Sequence, residues 1–490
     1  MKLNELTINL PEGYSILGDP EVEILSLCAD SRKAKAGAIF FCTPGLNCDA
    51  HDFAPQAVAA GAVALVVERA LDLPVSQVLV PNVRMALSYM AAQFYDQPAQ
   101  KMTMIGITGT KGKTTTSFLV KSILEAAGKK TALIGTVCSM IGEETIPANL
   151  TTPDPIVTQS LLARMAQAGC ECVVMEVSAH ALDMYRLAGI RFQVGAFSNF
   201  SQDHLDYFAD MDAYFEAKMR FMQPDMTEQI VYNIDDERVS EGVRALGRTA
   251  LRVGIRESSD IYANDIEISE TGTRFQMTWH KRFRVPVSLQ VAGIFNVYNA
   301  LLAAGICVCA GIGPSAIQKG LESVRAVPGR IELLQTNTPY RVILDYAHSP
   351  DSLENILVAV RQTAKRRLIA LFGCGGNRDT AKRPIMGEIA GKLADYCILT
   401  SDNPRYEDPM EILGQIEEGI RKTQCPYVVI ENRRDAIRYA LQFAETSDVV
   451  ILAGKGHETY QEINGVKHPF DEKVVVAELL QELAKQGEEA

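Results

Sequence analysis

The 490-residue sequence lacks several features that mark other classes of protein. Its longest run of small and apolar residues, 300–313, is shorter than the roughly 20 residues that a transmembrane helix needs. The first residues form neither a basic segment nor an apolar one, so we expect no signal peptide. The 48 lysines and arginines are outnumbered by 60 aspartates and glutamates, which gives a net charge of −12. This balance argues against proteins that bind nucleic acid or anionic membranes through a basic surface.

The 11 cysteines include no Cys-x-x-Cys pair, and most of them lie in apolar runs, as Cys172, Cys307 and Cys397 do. This pattern predicts reduced thiols in the core of a cytoplasmic protein and argues against a disulfide framework or a zinc site. The hydrophobic content of 47% is that of a globular chain. At about 100–200 residues per domain, the length favours three domains.

Apolar runs divide the chain into blocks 1–98, 99–329 and 330–490. In the first block, short apolar runs alternate with helix-like segments. The second block opens on a strand-like run, Met102–Thr108, which leads into a glycine-rich turn and an amphipathic helix. In the third block, apolar runs from Val342–Leu344 to the last one at 449–453 are separated by helix-length segments. Strands that alternate with helices predict an α/β fold built on mainly parallel sheets.

The sharpest local motif is the run from Gly106 to Thr116, Gly-Ile-Thr-Gly-Thr-Lys-Gly-Lys-Thr-Thr-Thr. A strand, a glycine-rich turn and a helix start that carries Lys113 and Thr114 are typical of a phosphate-binding loop. In such a loop backbone N–H groups and the helix N-terminus bind the anion, the lysine reaches the terminal phosphates, and a threonine hydroxyl can bind Mg²⁺. Ile107 stands where the strict motif has its first glycine, so a chance glycine turn before a helix is the alternative.

A carboxylate, Glu176, ends the apolar run that begins at Cys172. Because parallel sheets place functional groups at the carboxyl ends of their strands, we expect Glu176 to face the phosphate loop as a Mg²⁺ ligand. The alternative is a solvated residue at a sheet edge. His204 and Lys218 follow in the same block, and spacing alone gives neither of them a role.

Polar clusters directly follow four strand-like runs of the third block, at 345–348, 373–379, 402–405 and 454–458. The carboxyl ends of parallel strands meet at one edge of a sheet, so these clusters predict a rim that binds an anionic substrate. Each cluster alone is also compatible with ordinary turn chemistry, because Asp-Asn-Pro and Gly-Gly are turn formers.

These motifs occur together in the order found in one enzyme family. They are Asp30-Ser-Arg32, 109–115, Thr151-Thr152-Pro-Asp154, 176–180, Asp203-His204-Leu-Asp206, 295–299, Pro328-Gly-Arg330, 346–353 and Asp402-Asn-Pro-Arg405. In this set and order the sequence resembles the Mur ligases of peptidoglycan synthesis over nearly its whole length. The resemblance implies an α/β enzyme of three domains: an N-terminal UDP-binding domain, a central P-loop ATPase domain with a parallel or mixed sheet, and a C-terminal Rossmann-like domain that binds the amino acid.

The activity that the resemblance implies is the ATP-dependent addition of meso-diaminopimelate to UDP-N-acetylmuramoyl-L-alanyl-D-glutamate. ATP would phosphorylate the side-chain carboxylate of the D-glutamate residue, and the amine of diaminopimelate would attack the resulting acyl phosphate. The implied cofactors are ATP and Mg²⁺. The implied protein is a cytoplasmic monomer whose partners are these small molecules, with no nucleic acid and no membrane among them.

The resemblance also assigns residues to ATP and magnesium. The ATP phosphates would be bound by Gly109, Thr110, Lys111, Gly112, Lys113, Thr114 and Thr115. Asn299 would contact the adenine, and Arg330 and Asp345 the rest of the nucleotide. Magnesium would be held by Thr114, Glu176, His204 and Lys218, the last of them as a carbamate. The catalytic residues would be Lys113, Glu176, His204 and Lys218.

The remaining assignments concern the two substrates that are joined. Ser31 would contact the uridine nucleotide, and the muramoyl-dipeptide would be bound by Thr151, Thr152, Ser178 and Arg186. Diaminopimelate would be received by Arg378, Asp402, Asn403, Pro404, Arg405, Gly454 and Glu458. Departures from the family pattern at Leu46-Asn47, Ala179 and Met184 concern single substrate contacts and not the reaction.

The nearest alternatives share this architecture: a lysine-adding homologue, another Mur-type ligase or a folylpolyglutamate synthetase. Arg405 argues against lysine, because a cation there suits a distal carboxylate that lysine lacks. The Asp30-Ser-Arg32 start argues against the folate enzyme. A regulatory protein that binds ATP without ligation is a remote alternative, because it would not need Glu176, Lys218 and the rim clusters together.

Overall fold

The computed structural model describes residues 1–45, 48–256, 258–270, 272–279 and 283–489. The departure from the family pattern at Leu46-Asn47 lies outside these described residues. Within them, three large β-sheets follow one another along the chain, and a two-stranded sheet lies near the C-terminal end.

The first sheet has the strand order β1-β5-β4-β3-β2. Its strands are β1 (Ser15–Leu17), β2 (Ser26–Cys28), β3 (Ala38–Phe41), β4 (Ala62–Val67) and β5 (Ser76–Leu79). The α-helices of this part are α1 (Leu3–Leu6), α2 (Ala54–Ala59) and α3 (Val83–Phe94). Neighbouring strands from β2 to β5 are parallel, and β1 is antiparallel to β5. All four residues of β3 are buried, as expected for a strand with both faces covered.

The second sheet has the order β16-β15-β14-β13-β12-β11-β6-β10-β7-β8-β9. Its strands are β6 (Thr103–Thr108), β7 (Thr131–Ile134), β8 (Cys138–Ile141), β9 (Glu144–Pro147), β10 (Cys172–Glu176), β11 (Phe192–Phe197), β12 (Thr227–Asn233), β13 (Ala250–Gly254), β14 (Ile261–Ser269), β15 (Gly272–Trp279) and β16 (Phe283–Leu289). Its helices are α4 (Lys113–Ala126), α5 (Pro155–Gln167), α6 (Ala179–Asp183), α7 (Met211–Met219), α8 (Glu237–Ala245), α9 (Ile294–Cys309) and α10 (Pro314–Ser323). The pairs from β14 through β7 are parallel, and the strands at both edges pair antiparallel.

Two apolar cores cover the two faces of this sheet. Val174 of β10 packs with α4 and α9 on one face, whereas Val173 and Met175 pack with α5, α7 and α8 on the other. This alternation follows from the period of two along a strand. The longest apolar run of the sequence supplies residues 300–307, which are most of the buried residues of α9. Among the described residues, no helix has the length and apolar character required to cross a bilayer.

The third sheet has the order β17-β18-β22-β19-β20-β21. Its strands are β17 (Glu332–Leu333), β18 (Arg341–Asp345), β19 (Leu368–Phe372), β20 (Tyr396–Leu399), β21 (Tyr427–Val429) and β22 (Val449–Ala453), and the two-stranded sheet consists of β23 (Tyr460–Ile463) and β24 (Val466–Pro469). Its helices are α11 (Pro350–Arg361), α12 (Lys382–Leu393), α13 (Pro409–Ile420), α14 (Arg433–Phe443) and α15 (Glu472–Glu489). All pairs from β18 to β21 are parallel, so this sheet is Rossmann-like.

The predicted α/β class, with a mixed central sheet and a Rossmann-like C-terminal part, is confirmed. The boundaries between 98 and 99 and between 329 and 330 stay predictions. The four polar clusters of the third block follow β18, β19, β20 and β22, which are neighbours in the sheet. They therefore lie at one edge, as parallel pairing requires.

Candidate active site

The glycine-rich loop between β6 and α4 has the backbone shape of an anion cradle. Gly109 and Gly112 adopt φ values of +136° and +82°, which residues with a side chain rarely reach. A Cβ at Gly109 would clash with the Ser198 hydroxyl, and one at Gly112 would clash with the Asn299 amide oxygen. Helix α4 begins directly after the loop at Lys113, so its free N–H groups point to where an anion would bind.

Two lysines end on the same carbonyl of this loop. The ammonium groups of Lys113 and Lys218 each donate to Gly109 O, at 2.9 Å and 2.9 Å. Burial lowers the pKa of Lys113 to about 8, although Glu176 and Asp203 oppose the shift. Burial, together with the neighbouring Lys113 charge, lowers the pKa of Lys218 well below its ordinary value. A bound polyphosphate would favour the charged form of both lysines, because its negative charge opposes the effect of burial on their pKa values.

Glu176 stands at the end of β10 and accepts hydrogen bonds from hydroxyl groups around it. Thr114 Oγ1 and Thr136 Oγ1 both donate to Glu176 Oε2, at 3.0 Å and 2.8 Å. The backbone N–H of Thr136 donates to Oε1 at 3.0 Å, and Thr136 Oγ1 lies 3.0 Å from Thr151 Oγ1. Glu176 is buried, and its position beside the loop agrees with the prediction from the sequence.

This cluster of oxygens suits magnesium. Magnesium binds oxygen ligands and is usually held by one or two carboxylates together with substrate phosphates and water, not by an all-protein cage. Accordingly, the described residues contain no group of three or more His, Cys, Asp or Glu side chains with metal-binding geometry. One carboxylate with neighbouring hydroxyls, next to a phosphate cradle, meets the requirement.

His204 lies close to Asp203 and to a second histidine. Its ring packs edge-on against His180, with 4.7 Å between ring centroids. Burial lowers the pKa of His204 to about 4, against the opposing effect of Asp203. Burial would raise the pKa of Asp203, but the Lys111 ammonium at 3.3 Å outweighs it and the pKa is lowered. At neutral pH the imidazole is therefore uncharged, beside an ionised carboxylate.

A cavity of about 650 Å³ opens in front of the loop, with Asn299, Arg330 and Asp345 in its wall. Arg330 Nη2 lies 3.3 Å from Thr114 Oγ1, and its guanidinium lies 4.9 Å from the centre of the Tyr346 ring. Asp345 accepts the backbone N–H groups of Ile331 and Ala347, each at 2.8 Å, so both its oxygens fix the chain at this junction. Asn299 lies against the loop, where Thr116 Oγ1 is 3.4 Å from its amide oxygen.

A second cleft of about 1050 Å³ adjoins the first. Its wall includes the predicted dipeptide-binding residues Thr151, Thr152, Ser178 and Arg186 and the predicted diaminopimelate-binding residues Arg378, Asp402, Asn403, Arg405, Gly454 and Glu458. Eight residues line both cavities, among them Lys113, Thr136 and His204. A phosphate held by the loop and a substrate held in the cleft would therefore meet at these residues.

On the dipeptide side, Thr152 links three backbone segments. Its hydroxyl donates to Glu176 O at 2.7 Å and accepts from the backbone N–H of Ser178 at 3.0 Å. Arg186 Nη1 donates to Thr152 O at 2.9 Å, and Nη2 lies 3.3 Å from the sulfur of Met184. These contacts hold Arg186 at the wall of the cleft, and they occupy one donor on each of its two terminal nitrogens.

On the amino-acid side, Arg378 and Arg405 have different environments. Arg378 Nη1 forms an ion pair at 2.9 Å with Asp206, which lies in the middle block. Arg405 Nη1 donates to Gly376 O at 2.7 Å, and its Nε lies 3.4 Å from Glu462. Pro404 joins Asn403 to Arg405, which has a φ of +53°. The structure thus brings both arginines to the rim that the sequence predicts.

Ser31 lies apart from these residues. Its hydroxyl donates to the side chain of Gln56, a residue of α2, at 3.2 Å. Ser31 lines neither of the two cavities. Asp30 beside it accepts two hydrogen bonds from the Arg32 guanidinium, at 2.9 Å each. The contact of Ser31 with a uridine nucleotide stays a prediction.

The sequence analysis assigned no role to several polar residues of the site, among them Thr136, His457 and Lys455. Thr136 follows β7 in a loop that carries no recognisable motif. His457 and Lys455 belong to the predicted cluster 454–458. The two glycines of this cluster indicated a turn, but nothing in the sequence gave these two side chains a role. Burial lowers the pKa of His457 to about 4, with Arg330 adding to the shift.

Comparisons with known proteins agree with this geometry. Residues 107–307 match the Mur ligase middle domain, residues 329–456 the Mur ligase glutamate ligase domain, and residues 23–95 the Mur ligase family catalytic domain. A UDP-N-acetylmuramoyl-L-alanyl-D-glutamate--2,6-diaminopimelate ligase from Caldanaerobacter subterraneus subsp. tengcongensis is 44% identical over 474 residues, which are 96% of this chain and 98% of the relative.

Solved structures extend the likeness to the whole fold. One described as a UDP-N-acetylmuramoyl-L-alanyl-D-glutamate--2,6-diaminopimelate ligase aligns with a TM-score of 0.70 at 31% identity, over 99% of each chain. The MurF ligase of Thermotoga maritima, solved in complex with ADP, aligns with a TM-score of 0.65 over 96% of this chain and 100% of its own; at 20% identity it shows the fold alone. With a phosphate loop, an adjoining substrate cleft and close relatives along nearly its full length, the chain belongs to the Mur ligase family, the ATP-dependent amide-forming ligases of peptidoglycan synthesis.

Proposed function

We propose that the chain adds meso-diaminopimelate to UDP-N-acetylmuramoyl-L-alanyl-D-glutamate at the expense of ATP. The observation that carries the proposal is that the phosphate-loop cavity and the larger cleft have eight lining residues in common, among them Lys113, Thr136 and His204. An ATP in the first and a carboxylate in the second would have their reacting atoms side by side. Catalysis by positioning and charge stabilisation, as phosphoryl transfer requires, fits this layout.

In the first step a carboxylate oxygen of the D-glutamate residue bonds to the γ-phosphorus, and the bond from that phosphorus to ADP breaks. Lys113 and the N-terminus of α4 would stabilise the charge that builds on the transferring group. In the second step the diaminopimelate nitrogen, as a free amine, bonds to the acyl carbon, the bond from that carbon to the phosphate oxygen breaks, and phosphate leaves with a proton from the nitrogen. Contacts that join the two walls of the cleft, such as the Arg378–Asp206 ion pair, would keep water from the acyl phosphate.

Magnesium would be held by Thr114, Glu176, His204 and carbamylated Lys218. When bound, it supplies charge neutralisation at the phosphates of ATP. The oxygens around Glu176 Oε2 and the neutral imidazole of His204 support this assignment.

Lys218 would take up a carbamate by attack of its amine on carbon dioxide, with loss of a proton. In the structure it shares the Gly109 carbonyl with Lys113, and burial together with the Lys113 charge lowers its pKa, which favours the neutral amine that attacks carbon dioxide. A carbamate would place a negative charge beside the Lys113 ammonium and provide a carboxylate-like ligand for magnesium.

The carbamate is tested by carbon-13 NMR of the protein equilibrated with labelled bicarbonate. We expect a carbamate signal that Lys218→Ala removes, whereas Lys121→Ala, which also changes a buried lysine, keeps it. A signal that survives in Lys218→Ala, or full ligase activity of that variant, would contradict the assignment.

The residues at the rim support diaminopimelate as the amino acid. Arg405 and Arg378 offer two guanidinium groups to the carboxylates of the substrate, and Asp402 and Glu458 offer acceptors to its ammonium.

We further propose that blocks 1–98, 99–329 and 330–490 are the UDP-binding, ATP-binding and amino-acid-binding domains of a monomer. All 11 cysteines are free thiols, which supports a cytoplasmic site for the reaction.

The function is tested by ADP release with the UDP-muramoyl-dipeptide and a panel of amino acids. We expect release with meso-diaminopimelate, very little with L-lysine or D-alanyl-D-alanine, and a product whose mass equals that of the two joined substrates less water. If ADP release without any amino acid equals that with meso-diaminopimelate, the chain is an ATP-binding regulator. A preference for lysine would overturn the proposed substrate.

A further inference from the structure

We propose that Lys455 is a positioning residue of the amino-acid pocket: its buried ammonium holds Asn403 and Glu458 in place and so sets the affinity for the free amino-acid end of the diamino acid. The inference rests on the proposed function, since it concerns the same pocket. Lys455 is not among the residues that the sequence motifs assign to a ligand.

The Lys455 side chain lies in the turn after β22 and is 0% exposed. Three side-chain oxygens surround its ammonium: Glu458 Oε2 at 3.1 Å, Asn403 Oδ1 at 3.2 Å and Asp402 Oδ1 at 3.5 Å. Burying an ammonium is costly unless it is paired and hydrogen-bonded, so this contact set accounts for a cation at a fully buried position. All three partners line the substrate cleft.

The contact with Lys455 decides which way the Asn403 amide points. Asn403 Oδ1 accepts from Lys455 and also from the backbone N–H of Glu462 at 2.9 Å. With its oxygen committed to these donors, the amide directs Nδ2 to Glu458 Oε2 at 2.9 Å. Both bonds to Glu458 end on Oε2, so Oε1 is the oxygen left for a ligand in the cleft.

Charge balance gives Lys455 a second role. Burial would raise the pKa of Asp402, but Lys455 and Arg433 outweigh it and lower that pKa. Burial and the Asp402 charge raise the pKa of Glu458, which Lys455 opposes. Without the ammonium, the buried carboxylate of Asp402 and the partly buried one of Glu458 would lose the cation between them, and one would take up a proton or turn away. Asp402 Oδ1 accepts no hydrogen bond among the described residues, so the Lys455 ammonium at 3.5 Å is the charge that balances it.

These observations predict a selective loss of affinity in Lys455→Met. We expect KM for meso-diaminopimelate to rise on the order of thirtyfold, as when one partner of a buried charge pair is removed. KM for ATP and for the UDP-muramoyl-dipeptide should change less than about twofold, because their predicted ligands do not contact Lys455. The matched control is Lys121→Met, which removes a buried lysine that pairs with Glu125 within α4. It should leave all three KM values unchanged.

A second comparison separates positioning from general stability. Lys455→Met/Glu458→Gln removes one charge of each sign, so it is expected to fold even if Lys455→Met alone does not. If Lys455 acts through Glu458 and Asn403, this double variant will bind diaminopimelate within about threefold of Glu458→Gln alone. A further loss of about thirtyfold in the double variant, or equal changes of KM for all three substrates in Lys455→Met, would overturn the inference.

The same experiments distinguish failure of this inference from failure of the proposed function. If the function is wrong, the unmodified chain will release no ADP with meso-diaminopimelate. If only the inference is wrong, the unmodified chain will be active, and Lys455→Met will keep its KM for that amino acid or give one of the two overturning results named above.

Discussion

Arg405 is expected to decide between meso-diaminopimelate and lysine, and Arg405→Ala tests this. The side chain is 22% exposed, and its guanidinium is held before any ligand binds, by Gly376 O at 2.7 Å and by Glu462 at 3.4 Å. These contacts use Nη1 and Nε, which leaves Nη2 for the cleft. A planar group that is already oriented loses little entropy when a carboxylate binds to it.

The size of the effect follows from this partial burial. Removing one partner of a buried, hydrogen-bonded charge pair costs about 2–5 kcal/mol. Because Arg405 retains some contact with solvent, we expect the lower end of that range, about 2–3 kcal/mol, or roughly 30- to 150-fold in kcat/KM for diaminopimelate. Lysine lacks the distal carboxylate, so its kcat/KM should hardly change. The preference for diaminopimelate over lysine should therefore shrink by the same factor.

The assay measures kcat/KM for both amino acids in four proteins: the unmodified chain, Arg405→Ala, Arg378→Ala and Arg421→Ala. Arg378 is 49% exposed and is paired with Asp206, so it should contribute less to the discrimination. Arg421 is an exposed arginine whose partner is Glu417, and its removal is the control. An unchanged ratio in Arg405→Ala, with a changed one in Arg378→Ala, would show that Arg405 only stabilises its turn.

Three other perturbations test separate parts of the site. Lys113→Ala should abolish ADP release without lowering the unfolding temperature, and near-normal turnover would remove the loop lysine from the mechanism. Asp206→Asn removes the half-exposed ion pair across the cleft, so kcat/KM should fall less than about fivefold, and small-angle scattering with all ligands should show a less compact protein. Burial lowers the pKa of His348 from 6.5 to about 3, so the unfolded chain binds the proton more tightly. The free energy of unfolding should fall as the pH drops below about 6.5, and more gently in His348→Asn; equal pH profiles would refute this.

The local sequence was sufficient to predict the strands at the centres of the sheets. A parallel strand buried on both faces reads as a continuous apolar run, which is why residues 449–453 and 368–372 coincide with β22 and β19. The edge strand β16 alternates buried and exposed residues from 285 to 289, so no apolar run marks it. The phosphate loop was also readable, because its chemistry depends on residues that are adjacent in the chain.

The rim of polar clusters could be predicted because parallel strands end at a common edge, whatever their order in the sheet. The side-chain contacts within the site could not be predicted from the sequence. Lys111 donates to Ser349 Oγ at 2.6 Å across 238 residues, and Arg378 reaches Asp206 across 172. Thr136 meets Glu176, and Lys455 meets Asn403, only after the sheets are packed. Such pairs depend on ångström-scale distances between side chains of different elements, which packing determines and no local pattern of residues encodes.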